Sequence, residues 1–210
     1  MFMKKGLMFV AAAFSVFSLT ACDLFNKGNK EEEKPTADST VYGTGAEDLV
    51  LTVGSAIPAG EYVATFKAPS GDDSVTNGFV GVYQGSVGAT NMIWEDFFET
   101  NSMCKLKVGQ VVNLKYATLQ NVESNPRVGA LKNGTFKVGT HFQAGANGLV
   151  KVRSLSSSGQ VILYSELSDT GYYLDGDYPA VNNLASEEVK EFLGVPNGTY
   201  IMLNGAEIVL

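Results

Sequence analysis

Leu51-Thr52-Val53-Gly54-Ser55-Ala56-Ile57-Pro58-Ala59-Gly60 returns 85 residues later as Phe136-Lys137-Val138-Gly139-Thr140-His141-Phe142-Gln143-Ala144-Gly145. Both stretches run apolar, polar, Val, Gly, small, variable, apolar, variable, Ala, Gly. A second set of landmarks repeats with a shift of 89: Gly109, Leu114 and Ala117 recur as Gly198, Leu203 and Ala206. A loop insertion of four residues in the second copy reconciles the two shifts. Between the landmarks, Phe79-Val80-Gly81-Val82-Tyr83 pairs with Val161-Ile162-Leu163-Tyr164. Self-similarity over such a period marks a repeated structural unit. The units run over residues 47–122 and 134–210. Residues 123–133 join them and contain Pro126, Gly129 and Asn133-Gly134, the chemistry of a linker.

Each landmark has a local physical reading. Pro58 holds φ near −65° and Gly60 is free to take positive φ, so Ile57-Pro58-Ala59-Gly60 is a turn. Glu61-Tyr62-Val63-Ala64-Thr65-Phe66 then alternates as a half-buried strand. In the second copy Gln143 stands in place of Pro58, so the turn is kept with different chemistry. Val108-Gly109-Gln110 and Pro196-Asn197-Gly198 are turns leading into Val111-Val112-Asn113-Leu114-Lys115-Tyr116 and Thr199-Tyr200-Ile201-Met202-Leu203. Asn204-Gly205 reads as a hairpin turn before the last strand. Short Val, Ile, Tyr, Phe and Thr runs broken by Gly, Asn, Asp and Ser predict an all-β fold of two tandem small β-sandwich modules. Two stretches break the pattern. Residues 92–99 place Ile93, Trp94, Phe97 and Phe98 on one side of a short helix. Residues 185–193 do the same with Val189, Phe192 and Leu193, between a Ser186 cap and a Gly194 stop. The expectation is one short helix in each module.

The string VGSAIPAGEY, with its later turn-strand-Leu-x-x-Ala segment, resembles the V-G-x-D-I-P-A-G-x-Y modules of bacterial surface lipoproteins. The resemblance covers both units, and the first copy carries it best. The usual acidic residue before the Ile is Ala56 here and His141 in the second copy. The resemblance implies small jelly-roll-like sandwiches and supplies no catalytic residues.

The start of the chain is consistent with that resemblance. Lys4 and Lys5 precede an apolar run from Gly6 to Phe17, and Leu19-Thr20-Ala21-Cys22 follows. A positive segment, a short apolar segment and small residues before a cut compose a secretory signal over residues 1–21. The run is shorter than the roughly 20 residues a membrane-spanning helix needs. Its ending resembles the bacterial lipobox, which implies lipidation of Cys22 and anchoring to the cell membrane or outer membrane. Buried acyl chains contribute about 0.8 kcal/mol per CH₂, and two or more hold a protein stably. Residues 22–46 carry Glu31-Glu32-Glu33 and many Asn, Lys, Ser and Thr, so they read as a disordered tether.

The whole chain has a formal charge of −7, and −9 without Lys4 and Lys5. Nucleic-acid binding needs clustered Lys and Arg, so it is excluded as a function class. Beyond Cys22 the one cysteine is Cys104, so no internal disulfide forms. Its alternating surroundings read as a buried strand position. His141, the one histidine, lies in a turn and reads as a surface residue. No G-x-S-x-G elbow accompanies it. The most suggestive chemistry is Asp169-Thr170-Gly171-Tyr172-Tyr173-Leu174-Asp175-Gly176-Asp177-Tyr178. Tyr172, Tyr173 and Tyr178 offer stacking area at low entropy cost, and Asp175 and Asp177 offer acceptors, so these five are the candidate ligand-binding residues. Spaced oxygens around a glycine also suit Ca²⁺, although the D-x-[DN]-x-[DN]-G pattern is missing, and no metal site is assigned. Trp94 with Phe97 and Phe98 reads as core packing ahead of a binding platform. The reading that follows is a non-enzymatic, lipid-anchored envelope protein that binds a protein, peptide or glycan. The alternative is a hydrolase of cell wall or envelope polysaccharide using loop carboxylates, which needs two carboxyls roughly 5 to 10 Å apart.

Overall fold

A computed structural model describes residues 39–45, 48–124, 130–168 and 181–210. The signal, Cys22, most of the tether, part of the linker and the Tyr172, Tyr173, Asp175, Asp177 and Tyr178 segment lie outside the described residues. The strands of the first half are β1 (Val41–Tyr42), β2 (Leu49–Thr52), β3 (Gly60–Phe66), β4 (Gly78–Gln84), β5 (Met92–Phe98), β6 (Asn101–Leu106), β7 (Gln110–Lys115) and β8 (Ala117–Asn121). Those of the second half are β9 (Thr135–Lys137), β10 (Val150–Ser154), β11 (Gly159–Tyr164), β12 (Asn182–Leu184), β13 (Val189–Phe192), β14 (Tyr200–Asn204) and β15 (Ala206–Val209). They form four antiparallel sheets, ordered β1-β8-β3-β6, β2-β7-β4-β5, β13-β10-β15 and β12-β11-β14-β9. The fold is all-β and sandwich-like, and each sheet draws its strands from one half.

The same pairings occur twice. In β2–β7, Leu51 faces Val112, and in β9–β14, Phe136 faces Ile201, at shifts of 85 and 89. The landmark turns repeat bond for bond. Gly54 N–H donates to Ile57 O at 2.7 Å and Gly139 N–H to Phe142 O at 2.8 Å. Gly109 N–H reaches Val53 O at 3.1 Å, and Gly198 N–H reaches Val138 O at 2.8 Å. All four glycines hold φ between 86° and 98°, a region that L side chains enter only with strain. The first copy's Tyr62 is buried and donates from its hydroxyl to Pro58 O at 2.9 Å, so the I-P-A-G-x-Y string closes on itself. In the second copy, Gln143 Nε2 donates to Gly139 O at 3.1 Å instead.

Several expectations are corrected. Residues 92–98 and 189–192 are strands, and the helical residues described are three short 3-10 turns, at Ala89–Asn91, Val122–Ser124 and Ala146–Gly148. In β5, Trp94, Asp96 and Phe98 face inward, while Phe97 is 65% exposed and packs on Phe79 with ring centroids 5.0 Å apart. A register shift between Val82 and Tyr83 adds Ile93 to the strand, which places two half-buried side chains in succession. That extra residue imitates helical spacing. Val189 in β13 and Leu193 just after it are exposed, so no apolar helix face exists there. Isolated helices of this length are marginal, and pairing with β4 or β10 offers a full ladder instead. Asn204-Gly205 is no hairpin: β14 and β15 belong to different sheets, and the chain crosses between them at Gly205, φ 58°. Tyr116, φ 49°, makes the equivalent crossing from β7 to β8. His141 is also not a surface residue. It is 9% exposed, sits edge-on to Phe136 and accepts the Lys137 N–H at Nδ1, 3.0 Å away.

Residues Thr36–Leu210 make one compact unit. One apolar cluster fills the first half around Ile57, Tyr62, Val80 and Leu114. The other fills the second half around Phe136, Val152 and Ile201, and it includes Val63, Met103 and Val122 from the first. Both faces of β3 are therefore covered: Tyr62 and Ala64 pack inward and Val63 packs against the second half. Among the described residues, no helix is long and apolar enough to cross a membrane.

Candidate functional site

Two polar clusters tie the halves together. At the β5–β6 turn, Thr100 Oγ1 donates to Asn133 O at 2.6 Å, and Asn101 Nδ2 donates to Thr135 O. Asn133 Nδ2 in turn donates to Glu99 Oε2 at 2.8 Å. The approach is close enough that a Cβ on Gly134 would overlap Asn101 Oδ1. Farther along, Lys137 Nζ lies 3.3 Å from Glu61 Oε2 and 2.7 Å from Glu123 Oε1, and the Tyr200 hydroxyl donates to Glu61. Burial pulls the Lys137 ammonium down. The hydrogen bond to Glu123 and the two carboxylate charges more than offset that, so its pKa is raised. Burial first, then the bond to Glu61, push the Tyr200 phenol well above the usual tyrosine range. Tyr164 stacks on Tyr200 with centroids 5.6 Å apart. Glu61, Lys137, Glu123 and Tyr200 hydrogen-bond to one another and tie the halves together.

Between the clusters lies a cavity of about 260 Å³. Its first-half wall is mainly β5 and β6, contributing Trp94, Asp96 and Met103, with Val82 of β4. Its second-half wall includes Tyr164, Leu167 and Met202. A second recess, near 250 Å³, shares Asp96 with it and opens beside Phe97 and Asn133. Asp96 is the chemical centre of the first. Burial pushes its carboxyl above the usual carboxylate range, offset in part by hydrogen bonds from Ser102 and from the Phe97 N–H. Ser102 Oγ donates to Asp96 Oδ2 at 2.6 Å. Glu95 also lines the cavity and is exposed. Burial raises the Cys104 thiol to about 12, so it stays protonated and a poor nucleophile. Among the described residues, no group of three or more His, Cys, Asp and Glu side chains is placed to hold a metal. The arrangement suits binding: an apolar and aromatic pocket with a half-buried acidic anchor at Asp96.

Sequence reasoning weighed Trp94 mainly as core and did not single out Asp96, Ser102, Tyr164 or Met202. The signal was a carboxylate at an inward-facing position of Trp94-Glu95-Asp96-Phe97-Phe98, visible once the stretch is read with a period of two. The candidate tyrosines and aspartates lie outside the described residues. Ser168, which lines the cavity, is the described residue just before that segment. No protein family, curated protein or solved structure matches the chain.

Proposed function

We propose that this is a lipid-anchored extracytoplasmic protein, built from two copies of one β unit, that binds a protein, peptide or glycan at the cell envelope. The observation that carries the binding reading is the cavity at the meeting of the halves, with the half-buried Asp96 set among Trp94, Met103, Tyr164 and Met202. Small-molecule and side-chain sites are concave, mostly apolar and carry few polar groups, and this cavity has that composition. The anchor rests on Leu19-Thr20-Ala21-Cys22 behind the charged and apolar leader, with residues 22–46 as the spacer. Lipid on Cys22 holds the protein to the membrane, leaving the β units free to meet a partner.

Two measurements test the reading. Fractionation of cells producing the full chain should place it in the membrane fraction, and Cys22→Ser should release it. An unchanged membrane fraction for Cys22→Ser removes the anchor. Pull-down from envelope extracts with the full chain should recover a ligand that Trp94→Ala and Tyr164→Ala lose. Recovery unaffected by either variant removes the cavity as the seat.

A further inference from the structure

The cavity borders an open sheet edge. The sheet β1-β8-β3-β6 ends on β6, and among the described residues no strand lies beyond it. Phe66 N–H donates to Thr100 O at 2.8 Å across the β3–β6 ladder, which sets its phase. In an antiparallel pair the bonded positions alternate. Ser102 and Cys104 therefore turn their backbone groups toward β3, and Asn101, Met103 and Lys105 turn theirs outward. At Asn101 that outer edge is already met by Gly134, in a single parallel bridge. The chain then leaves to pair with β14 as β9. Among the described residues no backbone partner meets the outward N–H and C=O groups of Met103 and Lys105, and both residues line the cavity.

The side chains around this edge select an occupant. Ser102 and Cys104 point to the inner side of β6 with Asp96 and Trp94, while Met103 and Lys105 point to the other side, toward the second half. A bound segment would thus find an apolar slot on one side that ends in a carboxylate. The volume, below the roughly 300–1,000 Å³ of pockets for whole small ligands, suits one side chain with its backbone. A half-buried carboxylate such as Asp96 is best compensated by a cation that also hydrogen-bonds to it, which an uncharged sugar does not supply. The face of Trp94 favours the same charge. A second copy of this acidic chain is repelled, whereas a basic partner is attracted at long range.

The geometry points to strand addition: an extended segment of a basic partner protein lies along the open edge of β6 at Met103 and Lys105, and seats a lysine or arginine side chain beside Trp94 with its charged end on Asp96. This rests on the reading of the cavity as the binding seat and names its occupant. Main-chain bonds to the edge supply affinity, and the Asp96 slot supplies specificity.

Trp94 is the chain's one tryptophan, so its emission reports the cavity directly. The experiment titrates the full chain in detergent with capped, extended peptides carrying a central lysine, glutamate or norleucine. It also uses the lysine peptide with its backbone N-methylated at alternate residues, and oligosaccharides from bacterial envelopes. The lysine peptide should shift Trp94 emission saturably, and the glutamate peptide should not. Asp96→Asn, which still accepts from Ser102, should weaken the lysine peptide about ten- to hundredfold. N-methylation should abolish binding without altering the protein. Equal binding of the glutamate peptide, unchanged affinity in Asp96→Asn, or tolerance of N-methylation overturns strand addition. A shift with oligosaccharides alone also overturns it, while leaving the cavity as a binding seat. Silence of Trp94 to every probe, while the protein still captures envelope material, removes both the occupant and the seat.

Discussion

At Asp96 the proposed binding role and stability oppose each other. Its carboxyl is raised above the ordinary range, chiefly by burial. A carboxyl raised in the folded state favours folding while protonated. That contribution is full below the ordinary carboxylate pKa of about 4 and is lost as pH rises through the folded value. Asp96→Asn removes the titration and keeps the shape. The variant should therefore gain thermal stability relative to the parent at neutral pH, and the gap should close near pH 3 to 4. Melting curves across that range check it, and a gap independent of pH contradicts it. Gly134 makes the second residue-scale prediction. An alanine Cβ there would overlap Asn101 Oδ1 and stand 2.9 Å from Asn101 O, so the tie between the halves must part. Gly134→Ala should lose about 1–3 kcal/mol in urea unfolding, as overpacked sites do. Asp96 was present in the sequence as one acidic residue among many. Its meaning came from Ser102, six residues along, and from a wall supplied by the second half.

The element-scale test lies in the repeated turn. Gly54 and Gly139 both hold positive φ, and an added Cβ would meet Val108 Cγ1 at 2.9 Å in one copy and Asn197 Cγ at 2.9 Å in the other. Gly109 and Gly198 hold similar φ, but a Cβ there meets nothing within 4 Å. Gly54→Ala and Gly139→Ala should therefore destabilise more than Gly109→Ala and Gly198→Ala, which carry only the backbone strain of about 1–2 kcal/mol. Chemical unfolding of the four variants decides it, and equal losses at all four would mean the neighbours yield freely. Turns of this kind are legible in sequence because their determinants sit within a few residues. The strands β5 and β13 were not. Their apolar spacing does not alternate strictly and imitates a helix, in β5 because of the bulge, and the choice between helix and strand belonged to β4 and β10, the partners that pair with them.

At the scale of the molecule, the second core holds Val63, Met103 and Val122 from the first half. Separating the halves would expose those side chains and break the Glu61, Lys137 and Tyr200 contacts. Heating should therefore unfold both in one transition, and Phe136→Ala, in the second core, should lower that whole transition by about 3–5 kcal/mol. Calorimetry with two separable peaks, only one of them moved by Phe136→Ala, would contradict this. The cavity also belongs to this scale, since neither half encloses it alone.

The sequence by itself determined what short-range chemistry can encode. The glycines and Pro58 specify turns, alternating β-branched and aromatic residues specify strands, and the 85-residue echo specifies that the turn occurs twice. The all-β class follows from their sum. Tertiary structure alone decided that β3 is buried on both faces, that His141 turns inward beside Phe136, that residues 92–98 extend, and that the edge of β6 opens onto a cavity. The burial of β3, the extension of residues 92–98 and the setting of the β6 edge each depend on a hydrogen-bond or packing partner far away in the chain, and a local pattern holds no information about which partner arrives.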